Sequence, residues 1–96
     1  MKVGNYVRVV RSGQIFSTHY KMFERLGFKN KEENSVRDIP NVTRLIWRIF
    51  AVEKFNPHYY AEYFYGIEHV SSGKQLLVNR LAIEKLNILS IKIIIL

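Results

Sequence analysis

Residues 59–79, YYAEYFYGIEHVSSGKQLLVN, decide the fold. Tyr59 to Val70 is dense in rings and reads as a strand. Ser71-Ser72-Gly73-Lys74 interrupts it with a turn that needs a positive φ, and Gly73 supplies one without steric cost. Gln75 to Asn79 is apolar again and reads as the returning strand. One tight hairpin therefore anchors the prediction, and the class is mainly β.

Upstream, Arg44 to Phe55 (RLIWRIFAVEKF) predicts a central strand, rich in β-branched and aromatic residues. A period of two puts Leu45, Trp47, Ile49 and Ala51 on one face. Ile46, Arg48, Phe50 and Val52 fall on the other. Both faces are mostly apolar, so part of this strand is expected to be covered on both sides. Asn56-Pro57 then marks a turn. Residues 3–11 predict the opening strand, with Val7 and Val9 alternating with Arg8, and Ser12-Gly13 ends it.

Between these strands, Ser17 to Phe28 predicts a helix of about two to three turns. Ser17 or Thr18 serves as its N-cap, Tyr20, Phe23 and Leu26 form its stripe, and Gly27 ends it. Phe28 is expected to pack back on the last turn. Residues 29–43 are polar, carry both signs of charge and read as a long exposed loop. Downstream, Leu81-Ala82-Ile83 reads as a short helical turn, and Glu84 to Asn87 as a closing strand. Residues 88–96 (ILSIKIIIL) are too few to span a bilayer, and Lys92 interrupts them. They match a buried or pairing strand, in the barrel or against a second copy, so a homodimer through this C-terminal strand is one expectation. No membrane span is expected.

The chain has 96 residues and suits one domain, placed at 1–87 with 88–96 as an apolar strand or tail. A hydrophobic share of 48% argues against disorder. The absence of cysteine excludes disulfides, thiolate nucleophiles and cysteine-based zinc sites, and it favours a cytoplasmic location. No apolar run follows Met1-Lys2-Val3-Gly4-Asn5, so no signal peptide is expected. Fifteen Lys and Arg against eight Asp and Glu give a net charge of +7, which attracts nucleic acid, acidic protein surfaces or anionic lipid.

The element order resembles the SH3-like barrels, including the KOW modules of transcription and translation proteins. Val3-Gly4-Asn5-Tyr6-Val7-Arg8-Val9-Val10-Arg11 is similar to their Gly-Asp-x-Val-x-Val opening. The hairpin at 71–74 and the ending Leu81-Ala82-Ile83-Glu84-Lys85-Leu86 also look like theirs. Val9 to Gly13, Ser17 to Tyr20 and Leu26-Gly27-Phe28 resemble small phage-encoded accessory proteins with a helix inserted after the first strand. The resemblance implies a five-stranded SH3-like barrel with one short inserted helix. Asn5 stands where the KOW pattern has an acid, and the helical insertion replaces its short glycine-rich turn. A proline-peptide groove is not expected, because Trp47 lies mid-strand and no acidic loop is present.

Catalytic motifs are missing. His19, His58 and His69 are scattered, the acids form no distinctive pair, and no nucleophile elbow or phosphate loop occurs. The expectation is a binding module with no enzymatic activity, no metal and no cofactor. Nucleic-acid binding needs cations for phosphates and rings for bases. The candidate binding residues are Arg8, Arg11, Arg44, Arg48, Lys74 and Arg80, with Tyr59, Tyr60 and Tyr63. Tyr63 and Tyr65 share a strand face and Phe64 points away, so one face belongs to the core; the other either forms an open aromatic platform or packs, with nearly all these rings, in the barrel or a dimer interface. The rival reading is an accessory protein of viral type that contacts a host protein through exposed Tyr and Arg, the side chains that dominate interface hot spots.

Overall fold

A computed structural model describes residues 1–10, 15–16, 24–29, 42–55 and 62–87; at 15, 16, 55 and 62 it describes the backbone alone. The architecture is mainly β. The strands are β1 (Tyr6–Val9), β2 (Ile15–Phe16), β3 (Trp47–Phe55), β4 (Glu62–His69), β5 (Gln75–Asn79) and β6 (Ile83–Lys85). They form one sheet in the order β2-β5-β4-β3-β1-β6, and every neighbouring pair is antiparallel. Five of these are the expected main strands. The two-residue β2 pairs with β5 and adds a sixth.

The β4–β5 hairpin forms where the glycine predicts it. Gly73 has φ 77°, its N–H donates to the His69 carbonyl at 3.0 Å, and the His69 N–H donates to the Lys74 carbonyl at 2.8 Å. The Ser72 hydroxyl lies 2.7 Å from His69 Nδ1 and accepts from the Lys74 N–H at 3.3 Å, which ties the turn together.

Val7, Val9, Trp47, Ile49, Tyr65, Ile67, Leu76, Val78 and Ile83 are buried in one cluster, so all five main strands curl around a single core. The period-of-two reading of β3 holds only as far as Ile49. The β3–β4 register shifts between Ile49 and Ala51, leaving Phe50 as an extra residue. Beyond the bulge, Val52 pairs with the inward Tyr65 and packs on the core, while Ala51 pairs with Gly66. The bulge therefore reverses the predicted faces of Ala51 and Val52. Leu45 and Arg44 also precede the strand: Val42–Arg44 is a 3-10 turn, and Val42 is buried in the core. The end of the expected exposed loop is thus part of the structure.

The outer side of the sheet is partly covered. Residues 24–26 form a helical turn, ended by Gly27 at φ 81°. Phe28 packs on the sheet with Phe64 and Leu77, and its ring meets that of Phe50 edge-on at 5.0 Å and 73°. The Lys29 N–H donates to the Gln75 side chain at 2.8 Å, and Arg25 pairs with Glu53 at 3.0 Å. The insert is therefore stapled to β3 and β5. The earlier part of the predicted helix lies outside the described residues, as does the tail at 88–96.

The last elements fall one residue earlier than predicted. Arg80–Ala82 is the 3-10 turn, capped by Asn79, whose side-chain oxygen accepts from the Ala82 N–H at 3.2 Å. β-branched Ile83 opens β6, and the ladder to β1 continues through Leu86 N–H to the Tyr6 carbonyl at 2.9 Å. No described helix is long and apolar enough to cross a membrane.

Candidate functional site

Strand register, more than sequence proximity, sorts the candidate residues into two groups. Arg8 and Arg48 project from the outer face, because their strand neighbours Val7, Val9, Trp47 and Ile49 point inward. Arg48 is exposed and lies between Tyr6 on β1 and Glu68 on β4. Arg8 is half-buried opposite Glu84, and its Nε is covered without a hydrogen-bond partner. Tyr6, Arg48, Phe50 and Glu68 line a groove of about 310 Å³, closed by hairpin residues 69, 70 and 73. Lys74 is exposed in the same hairpin, and Arg44 is exposed in the 3-10 turn before β3.

Tyr63 and Arg80 each lie near Tyr65, away from this groove. Tyr63 shares the face of Tyr65, with ring centroids 6.5 Å apart and planes 25° from parallel. Tyr65 is buried, whereas Tyr63 at the outer end of the strand is 40% exposed. Of the two alternatives for this strand, an open platform or packed rings, the packed one holds for Phe64 and Tyr65. Phe64 is buried against the insert and Tyr65 in the core, so of these three rings only Tyr63 opens to solvent. Burial pushes the Tyr65 phenol above its ordinary range. The nearby Arg80 charge opposes that rise and the Tyr63 phenol adds to it.

Lys54 completes this second group. It pairs with Tyr63 across the β3–β4 ladder and is exposed. Sequence alternation alone does not find it, because the bulge at Phe50 decides which face Lys54 takes. Arg80 follows Asn79, which pairs with Phe64. Lys54 thus lies across the ladder from Tyr63, and Arg80, at the start of the 3-10 turn after β5, lies close enough to Tyr65 for its charge to act on that phenol.

Two described cations are already neutralised: Arg25 by Glu53, and Lys29 by Glu68 at 3.3 Å. Arg8, Arg44, Arg48, Lys54, Lys74 and Arg80 form no ion pair among the described residues. Arg11, Tyr59 and Tyr60 lie outside the described residues. Among the described residues no group of three or more His, Asp or Glu side chains is placed to hold a metal ion. Compared with known proteins, the chain matches no family model, no curated protein and no solved structure.

Proposed function

We propose that this chain is a binding module of the small SH3-like barrel type, and that it holds single-stranded nucleic acid on the Tyr63 ring near Lys54 and Arg80. One observation carries the reading: an exposed ring, stacked on a buried one, lies across the ladder from Lys54 with Arg80 near the same ring pair, and neither cation forms an ion pair among the described residues. A base stacks on the open face of Tyr63, whose other side rests on Tyr65. The Lys54 ammonium and the Arg80 guanidinium meet the flanking phosphates. Stacking of this kind tolerates any base, so the module reads the backbone and rings more than the sequence.

Anisotropy of a short labelled oligonucleotide tests the reading. Two phosphate contacts on a single strand give a log-affinity against log-salt slope of about −1.4, and Lys54→Gln or Arg80→Gln should each remove about 0.7 of it. Tyr63→Ala should weaken binding about 5- to 150-fold, the equivalent of about 1–3 kcal/mol for one stacked base.

Exposed Leu81 favours a second reading. It adjoins Arg80, is 61% exposed, and gives the same edge an apolar contact suited to a protein partner, as in an accessory protein acting by protein contact. Absence of any anisotropy change at low salt would overturn the nucleic-acid reading in favour of this one.

A further inference from the structure

The outer-face groove carries a second, separate inference. Arg48 is a guanidinium without an ion pair among the described residues, and it lines the same groove as Tyr6 and Phe50. Its direct cross-strand neighbour Glu68 is the natural partner, but that carboxylate is held by Lys29 at 3.3 Å. Arg8, also without an ion pair, stands two residues along the same face of β1 from Tyr6. A guanidinium presents a planar fork of donors that matches an oxyanion. Arg48 beside two rings favours a compact dianion attached to something flat, while Arg8 lies outside the groove lining and adds only its charge on the same face. A volume of about 310 Å³ sits at the small end of ligand sites, with room for one ring system and its charged group and not for a length of strand.

We infer that this groove binds one nucleotide through its phosphomonoester, with Arg48 on the phosphate and Tyr6 and Phe50 against the flat portion. The ligand is either a free nucleoside monophosphate or the phosphorylated end of a strand; both present the same dianion, of charge about −1.5 to −2 at neutral pH. The groove lies on the face opposite Tyr63, so the site does not depend on the stacking site proposed above, although a strand end would bring the two into one function.

The experiment compares a 5′-phosphorylated oligonucleotide, the same oligonucleotide without the phosphate, and adenosine 5′-monophosphate, using amide chemical shifts as the map. The expected result is a saturable shift at Tyr6, Arg48 and Gly73 with at least one phosphorylated probe. Arg48→Gln should weaken that binding about 10-fold, the scale of a charge-assisted hydrogen bond. Arg48 is exposed and outside both buried clusters, so the variant keeps its fold. Shifts with the monophosphate alone identify a free nucleotide as the ligand. A preference for the phosphorylated oligonucleotide that Arg48→Gln abolishes identifies a strand end. Failure of the Tyr63 site lowers the affinity of both oligonucleotides together and leaves their ratio intact, so the two failures are distinguishable. No shift at Tyr6, Arg48 and Gly73 with any phosphorylated probe, or shifts that Arg48→Gln leaves unchanged, would overturn the inference.

Discussion

Gly66→Ala tests the bulge that sets the faces of β3. A Cβ built on Gly66 would lie 2.7 Å from Cζ and 2.9 Å from Cε2 of the Phe50 ring. Phe28 meets that ring edge-on at 5.0 Å and limits how far it can shift on that side. Forcing a methyl group into such a site costs about 1–3 kcal/mol. Alanine recovers about 0.4–1 kcal/mol by restricting the unfolded chain. The net destabilisation is between about 0 and 2.6 kcal/mol, or a fall in Tm of up to roughly 20 °C for a domain of this size. The assay is a double-mutant cycle by thermal or urea unfolding. In a Phe50→Ala background the ring is gone, only the gain remains, and Gly66→Ala should be neutral or stabilising. The coupling energy is then about 1–3 kcal/mol. An equal cost in both backgrounds would refute the placement of Phe50 over Gly66, and with it the bulge.

Gly73→Ala should lower stability by about 1–2 kcal/mol by forcing a Cβ into the left-handed region at φ 77°, read as a shift in the urea midpoint. Asn79→Ala removes the cap on the Ala82 N–H and should cost about 0.5–2 kcal/mol, with amide exchange at Ala82 rising first. The raised Tyr65 phenol makes stability sensitive to alkali. Its folded-state pKa lies above the unfolded value of 10.0, so its contribution is complete below pH 10 and is lost as pH rises through the folded value. Tyr65→Phe should remove that part of the alkaline decline, whereas Arg80→Gln, by deleting the opposing charge, should move the late tyrosine in an ultraviolet titration still later. Arg25→Ala breaks an exposed ion pair with Glu53 and should change stability by at most about 1 kcal/mol.

Much of the fold is legible in local chemistry. The Gly73 hairpin, the β character of Trp47–Phe55 and Gln75–Asn79, the helix end at Gly27 and the 3-10 turn before the last strand each follow from residues within a few positions of one another. Turn conformation and alternation are short-range properties, so a sequence can state them. The same reading fails where a partner from elsewhere intervenes. Phe50 bulges across Gly66, sixteen residues away in the chain, and Phe28 reaches the sheet in place of its own helical turn.

The candidate site divides the same way. Residue types alone yield the basic charge, the wealth of tyrosine and the lack of familiar catalytic motifs, and the charge by itself favours anionic partners. Which cations stand together was decided only by tertiary structure. Arg48 and Arg80 look equivalent in the chain, yet one pairs with Tyr6 on the outer face and the other lies near Tyr65, while Lys54 comes opposite Tyr63 on that face only because one extra residue in β3 reverses its direction. The physical reason is strand register: a side chain's neighbours in a sheet are set by hydrogen-bonded pairing between distant segments, and a shift of one residue exchanges every partner and every face beyond it.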